Sequence, residues 1–220
     1  MGQISLYLFS FGILSLLLVR RRRSRRRRVR AAAELDWPGV AAAFFERHAD
    51  NRNSTAERMH QALTTALRHL ELSHCLVALH EGDTFRVVHL SSRGYSAAPA
   101  LWVGKEVPAS EYFCGMLGPQ REQMAIDVAS ISGWRMHPSC RTHGWESYIG
   151  VRRALGDGRF LTVSCFDLRP RDQLYSSADK QLLQQVGSWV ESVWVRQNQI
   201  TTEAAGANPV SANPLSPSVS

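Results

Sequence analysis

The alternation of apolar and polar residues changes period several times along this chain, and each period predicts an element. In NSTAERMHQALTTALRHLEL, residues 53–72, Met59, Leu63, Leu67 and Leu70 recur at three and four residues. That spacing predicts an amphipathic helix, with Ser54 or Thr55 placed to cap it. CLVALH and TFRVVHL then flank Glu81, Gly82 and Asp83, which predicts a β-hairpin. A second hairpin pairs SYIGVRRAL with RFLTVSCFDL across Gly156, Asp157 and Gly158. Between the hairpins lie a Gly-containing loop, a short helix expected from Ser110 to Leu117, the short strand QMAIDV and the irregular stretch SGWRMHPSCRTHG. A last helix begins after Ser176 and Ser177, with Asp179 in its first turn. Its apolar face carries Leu182, Val186, Trp189, Val190, Val193 and Trp194. Helix, two strands, mixed crossover, two strands and helix predict an α+β domain over residues 54–200 with a mainly antiparallel sheet.

The two ends of the chain have a different texture. Ile4 to Val19 is a mostly apolar run of sixteen residues, followed by nine arginines between Arg20 and Arg30. As a helix the run would reach about 24 Å, short of the roughly 30 Å hydrocarbon core, and the flanking arginines can stretch the match by snorkelling. A cleaved secretory signal carries its positive charge before the apolar stretch, so the reversed order here predicts a retained anchor. By the positive-inside rule, residues 1–30 then form a membrane anchor, a single span over Ile4 to Val19 with the arginine-rich juxtamembrane block and the rest of the chain in the cytoplasm. The arginines would attract anionic lipid headgroups at about 1 kcal/mol each. Residues 31–53 form a linker or helical lead-in. Residues 201–220, rich in Pro, Ser, Ala and Asn with hardly any charge, are expected to be disordered. With no room for an output domain after Ile200, a signal is expected to leave by association, through a homodimer or a partner.

Charge and cysteines narrow the function. Taking the nine arginines from the net charge of +7 leaves −2 for the remainder, and the arginine block has no aromatic residue to stack on bases. A nucleic-acid partner is therefore disfavoured. Cys75, Cys114, Cys140 and Cys165 are widely spaced, with no Cys-x-x-Cys pair, and read as reduced thiols without a disulfide framework or a zinc site.

The stretch MAIDVASISGWRMHPSCRTHGWESYIGVRRALGDGRFLTVSCFDLRPRDQLYSSADKQLL contains an Ile-x-Asp strand, a His-Pro turn, a Ser-Tyr-Ile-Gly strand, a Gly turn, an Asp before an Arg-Pro loop, and a helix opened by Ser and Asp. Upstream, VGKEVPASEYFCGML has a Gly, then Val-Pro, then a helix with a central Cys. In these motifs the run from about His74 to Trp194 resembles a GAF domain, the small-molecule sensor module of phosphodiesterases, phytochromes and bacterial signalling proteins. The resemblance implies a five- or six-stranded antiparallel sheet, with the terminal helices on one face and a ligand pocket on the other, and dimerisation through those helices. Carried over position by position, it nominates Phe113, Cys114, Asp127, Trp134, His137, Cys140, His143 and Tyr148 as residues that bind an unidentified small molecule. No cofactor is assigned. Covalent bilin is disfavoured, because Cys140 is followed by Arg141 where the bilin-binding pattern has His.

Each nominee also has a plainer reading. Asp127 at a strand end could hold a ligand amine or guanidine, or cap loop backbone. His137, Cys140 and His143 with Cys114 match no established zinc spacing, so no metal is expected. Trp134 and Trp145 could wall an aromatic pocket or simply be core. Two alternatives to a sensor stand. In GAF-fold free-methionine sulfoxide reductases a reactive and a resolving Cys lie in this region, so Cys140, activated by His137 or His143, would be recycled through Cys114. The other alternative is an interaction module whose pocket is filled by its own side chains.

Overall fold

Ser54 opens the first helix, α1 (Thr55–Leu70), through a reciprocal box. Its Oγ accepts from the Glu57 N–H at 3.3 Å, while the Glu57 carboxylate accepts from the Ser54 N–H at 2.9 Å. Met59, Ala62, Leu63, Ala66, Leu67 and Leu70 are its buried stripe. The computed structural model describes residues 54–93, 101–156 and 158–206, with side chains as far as residue 199.

Strands β1 (His74–Glu81) and β2 (Thr84–Ser92) form the first hairpin, and Gly82 takes the left-handed conformation that its tight turn requires (φ 61°). A short β3 (Glu106–Pro108) pairs with the start of β2. After the crossover come β4 (Gln123–Ile126), the single-turn α2 (Pro138–Arg141), β5 (Ser147–Gly156), β6 (Arg159–Asp167) and α3 (Ser177–Gly206). The sheet has six strands in the order β3-β2-β1-β6-β5-β4, antiparallel throughout. β1 and β6 thus meet at its centre, although they lie at opposite ends of the strand sequence.

Neighbouring residues of a strand point to opposite faces, and residues paired across antiparallel strands share one. Cys75, Val77 and Leu79 therefore share a face with Cys165, Val163 and Leu161, and with Ile149, Val151 and Arg153. Gly187 shows that this face is the helical one, since a Cβ added there would stand 2.8 Å from Val151 Cγ2. α3 starts at a Ser176–Asp179 box and packs on β5, β6 and α1. The other face carries His74, Leu76, Ala78 and His80 of β1, with Phe166, Ser164, Thr162 and Phe160 of β6, and it lies under the crossover.

Four features differ from the sequence expectation. The helix expected from Ser110 to Leu117 is two 3-10 turns, Ala109–Glu111 and Phe113–Met116, separated by an extended Tyr112. Gly115 explains the break, because its missing Cβ lets the second turn close to within contact of the Ala109 carbonyl. β3 and α2 were not expected as elements. α3 runs on to Gly206, past the expected boundary at residue 200. The single-pass membrane placement is also corrected. Among the described residues no helix is long and apolar enough to cross a membrane, and the longest, α3, carries Asp179, Lys180, Glu191, Arg196 and Glu203 along its length. Ile4 to Val19, the arginines from Arg20 to Arg30, the lead-in at 31–53 and residues 207–220 lie outside the described residues.

Candidate functional site

Pro138 fixes the first turn of α2, and the His137 ring caps it, with Nδ1 accepting from the Ser139 N–H at 3.2 Å. That bond assigns the imidazole proton to Nε2, which has no hydrogen-bond partner among the described residues. Ser139 is wholly buried. Its Oγ accepts from the Phe113 N–H at 2.7 Å and donates to the Glu111 carbonyl at 3.2 Å. One hydroxyl thus fastens the His-Pro segment to the 3-10 crossover.

Around this fastening an aromatic corner assembles. The buried Phe113 ring stacks on His137 at 4.7 Å and meets Trp134 edge-on at 5.8 Å, and Trp134 and His137 lie 6.0 Å apart. Trp134 and His137 are half-buried, whereas Phe113 is fully covered. The Arg121 guanidinium lies 6.0 Å from the Trp134 ring. Burial holds His137 below its ordinary pKa, so the imidazole is neutral near pH 7.

Beneath the corner the interior is packed. Tyr148 lies 5.4 Å from Phe113 and shares a hydrogen bond with Ser164 at 2.9 Å. Its ring folds over Gly150, where an added Cβ would stand 2.0 Å from the phenolic oxygen. Trp145 stacks on Phe166 at 3.8 Å with 1% of its surface exposed, within the same core cluster as Phe113 and Tyr148. His80 bonds Thr162 at 3.1 Å and stacks on Phe160 at 4.4 Å. Burial first, and the Arg152 charge second, lower its pKa to about 4.

The nominated residues separate into three groups. Phe113, Trp134 and His137 come together at the corner, with Cys140 on the same single turn as the His137 cap and partly buried. Cys114 and Tyr148 lie deeper, both wholly buried, with Cys114 against Thr162. Asp127 and His143 are engaged elsewhere. Asp127 Oδ1 accepts from the Tyr175 N–H at 2.7 Å, and its carbonyl accepts from the Arg171 N–H at 2.9 Å, so it ties β4 to the loop that leads into α3. His143 stacks on Tyr112 at 4.5 Å, with Nε2 3.8 Å from the Glu111 carboxylate. Ser139, Ser164 and Thr162 complete the site, and sequence reasoning missed all three. A Ser directly after His-Pro was the only visible hint of the first.

Cys114 and Cys140 lack the environment of an activated nucleophile. Burial pushes Cys114 up to about 12. Burial and the Glu146 carboxylate raise Cys140 against the pull of Arg135. His137 and His143 are both lowered, chiefly by burial, so neither supplies a cation to stabilise a thiolate.

No protein-family model matches the chain, and no curated protein matches it in sequence. Solved structures do match in shape. The GAF domain of an Acinetobacter phosphoenolpyruvate-protein phosphotransferase superposes with a TM-score of 0.57 at 12% identity, covering 74% of this chain and 96% of its own. This chain has the GAF fold. The free methionine-R-sulfoxide reductase of Neisseria meningitidis, solved with its substrate, matches with a TM-score of 0.55 at 10% identity, over 73% of this chain and 89% of its own. The phycocyanobilin-bound GAF domain of a cyanobacterial phytochrome follows with a TM-score of 0.51 at 11% identity, over 72% and 96%. One GAF scaffold thus accompanies a phosphotransferase, a reductase and a bilin-bound phytochrome, so here the chemistry must be argued from the side chains.

Proposed function

We propose that this GAF domain senses a small molecule at the corner formed by Phe113, Trp134 and His137. The single observation that carries this reading is the unfinished state of that corner. Two half-buried rings stand over a buried one, and His137 offers a neutral Nε2–H donor that no described protein group accepts. A flat apolar body with one acceptor atom suits such a surface. The phytochrome GAF domain, solved with bilin, supports small-molecule binding on this scaffold only by analogy. The raised thiols at Cys114 and Cys140 weigh against the reductase reading.

In this reading occupancy would bias association through α1 and α3, giving a homodimer or a partner complex. Native mass spectrometry of the protein purified from its source, followed by thermal shift against a metabolite pool, tests the proposal. A retained small mass that is lost in Trp134→Ala and His137→Ala is expected. A bare mass with no thermal response from any pool would favour a self-filled interaction module. Light scattering with and without the ligand then tests the association step.

A further inference from the structure

Cys75 and Cys165 lie on the helical face of the sheet, opposite the face that lies under the crossover. They are directly opposed in the β1–β6 register, 90 residues apart in sequence, with their Sγ atoms 3.0 Å apart and both side chains wholly buried. A covalent S–S bond is about 2.05 Å and joins residues whose Cα atoms are about 4.4–6.8 Å apart, a range that includes directly opposed residues of neighbouring antiparallel strands. The sulfurs therefore need to approach by only about 1 Å, with no change of register. Cys114 and Cys140 have no such partner among the described residues.

We propose that Cys75 and Cys165 are a two-electron redox pair that closes into a cross-strand disulfide under peroxide. One thiolate attacks the O–O bond of hydrogen peroxide, forming a sulfenic acid and releasing hydroxide. The second thiolate displaces the sulfenic oxygen as hydroxide and forms the S–S bond. The two thiol protons end on the released oxygens, so two thiols and one peroxide give one disulfide and two waters.

The location gives the bond a consequence. Cys75 stands five positions after Leu70, the last residue of α1, and β6 ends two residues after Cys165. At the same end of the sheet the Ser73 hydroxyl donates to the Asp167 carboxylate. The disulfide would lock the strand ends from which α1 and α3 are suspended. Burial also holds the Cys165 thiol well above its ordinary range, so closure needs transient opening of the sheet and is favoured while the chain folds. The inference does not depend on the sensing reading.

The full-length protein, reduced and then freed of reductant, is exposed to hydrogen peroxide both in its folded state and during refolding from urea. Remaining thiols are alkylated, and unreduced peptides are mapped by mass spectrometry. The expected product is an intramolecular Cys75–Cys165 crosslink, lighter by two hydrogen atoms, with Tm raised by roughly 5 °C or more over the reduced form. C114S and C140S should leave the crosslink unchanged, and C75S and C165S should remove it. Alkylation or single-site over-oxidation of Cys75 and Cys165 under both conditions would overturn the proposal, as would a crosslink through Cys114 or Cys140. The wild-type peptide map decides even if a serine variant fails to fold. A crosslinked form with unchanged or lower Tm would overturn the locking role.

Discussion

Gly150→Ala is the most informative single change in the packed floor of the site. The backbone at Gly150 lies outside the left-handed region, so alanine is locally acceptable, and in open space the change would stabilise the protein by about 0.4–1 kcal/mol through the unfolded chain. The structure predicts the opposite sign. The new Cβ would stand 2.0 Å from Tyr148 Oη, 2.6 Å from Cζ and 3.0 Å from Cε1. The ring cannot yield cheaply, because Phe113 and Trp145 flank it and its hydroxyl is bonded to Ser164. Overpacking costs about 1–3 kcal/mol, and losing the buried hydroxyl pair adds about 1–3 kcal/mol. Set against the backbone gain, the net destabilisation is about 1–6 kcal/mol. Urea unfolding at neutral pH, in the wild-type and Tyr148→Val backgrounds, forms a double-mutant cycle. Without the phenol the alanine should be neutral or mildly stabilising. An equal cost in both backgrounds, or no cost in the wild type, would refute the account of how Tyr148 occupies this face.

Other predictions concern pH and the crossover. His80 has a folded pKa of about 4 against an ordinary 6.5, so between pH 6.5 and about 4 only the unfolded chain takes up its proton and stability falls as pH falls. At about 1.4 kcal/mol per pH unit the loss reaches about 3 kcal/mol, and urea midpoints for His80→Gln should decline less over that range than those of the wild type. At Asp167 burial works to raise the pKa, but the Arg169 and Ser73 hydrogen bonds outweigh it and hold the carboxyl below 3.8. Its contribution is therefore present above that pH and is lost as pH falls through the lower folded value, which acid titration of Asp167→Asn against the wild type would register. Ser139→Ala leaves the Phe113 N–H buried without its acceptor and should cost about 1–3 kcal/mol in urea unfolding. It should also increase hydrogen exchange at Phe113 before it does so in the central strands.

Both hairpins and both long helices were legible because local patterns encode them. Gly82 marks a turn, Ser54 and Glu57 form a cap, and the stripe from Met59 to Leu70 has one period. β3 was hidden because three residues carry no period, and its strand character comes entirely from pairing with Thr84–Arg86. The crossover was misread for a similar reason. The helical spacing from Ser110 to Leu117 is real, but the approach of Gly115 to Ala109 overrides it. The candidate site was legible by residue type and not by role. Asp127 meets Tyr175 across 48 positions and Ser139 meets Phe113 across 26, and no local pattern predicts either partner.

The strand order also bears on how the chain is made. β1 is synthesised first of the six strands, yet one of its two neighbours is β6, the last. Until Asp167 has left the ribosome, one edge of β1 stays unpaired along a strand that is buried from His74 to His80 in the finished domain. α1 waits longer still, because the carbonyl of Leu70 receives its hydrogen bond from the Arg171 guanidinium, 101 residues on. A nascent chain stalled after the first hairpin therefore presents a sticky strand edge and an incomplete helix end. Folding of this domain during synthesis should be late and abrupt, and chaperones should have their strongest claim on it between residues 81 and 171.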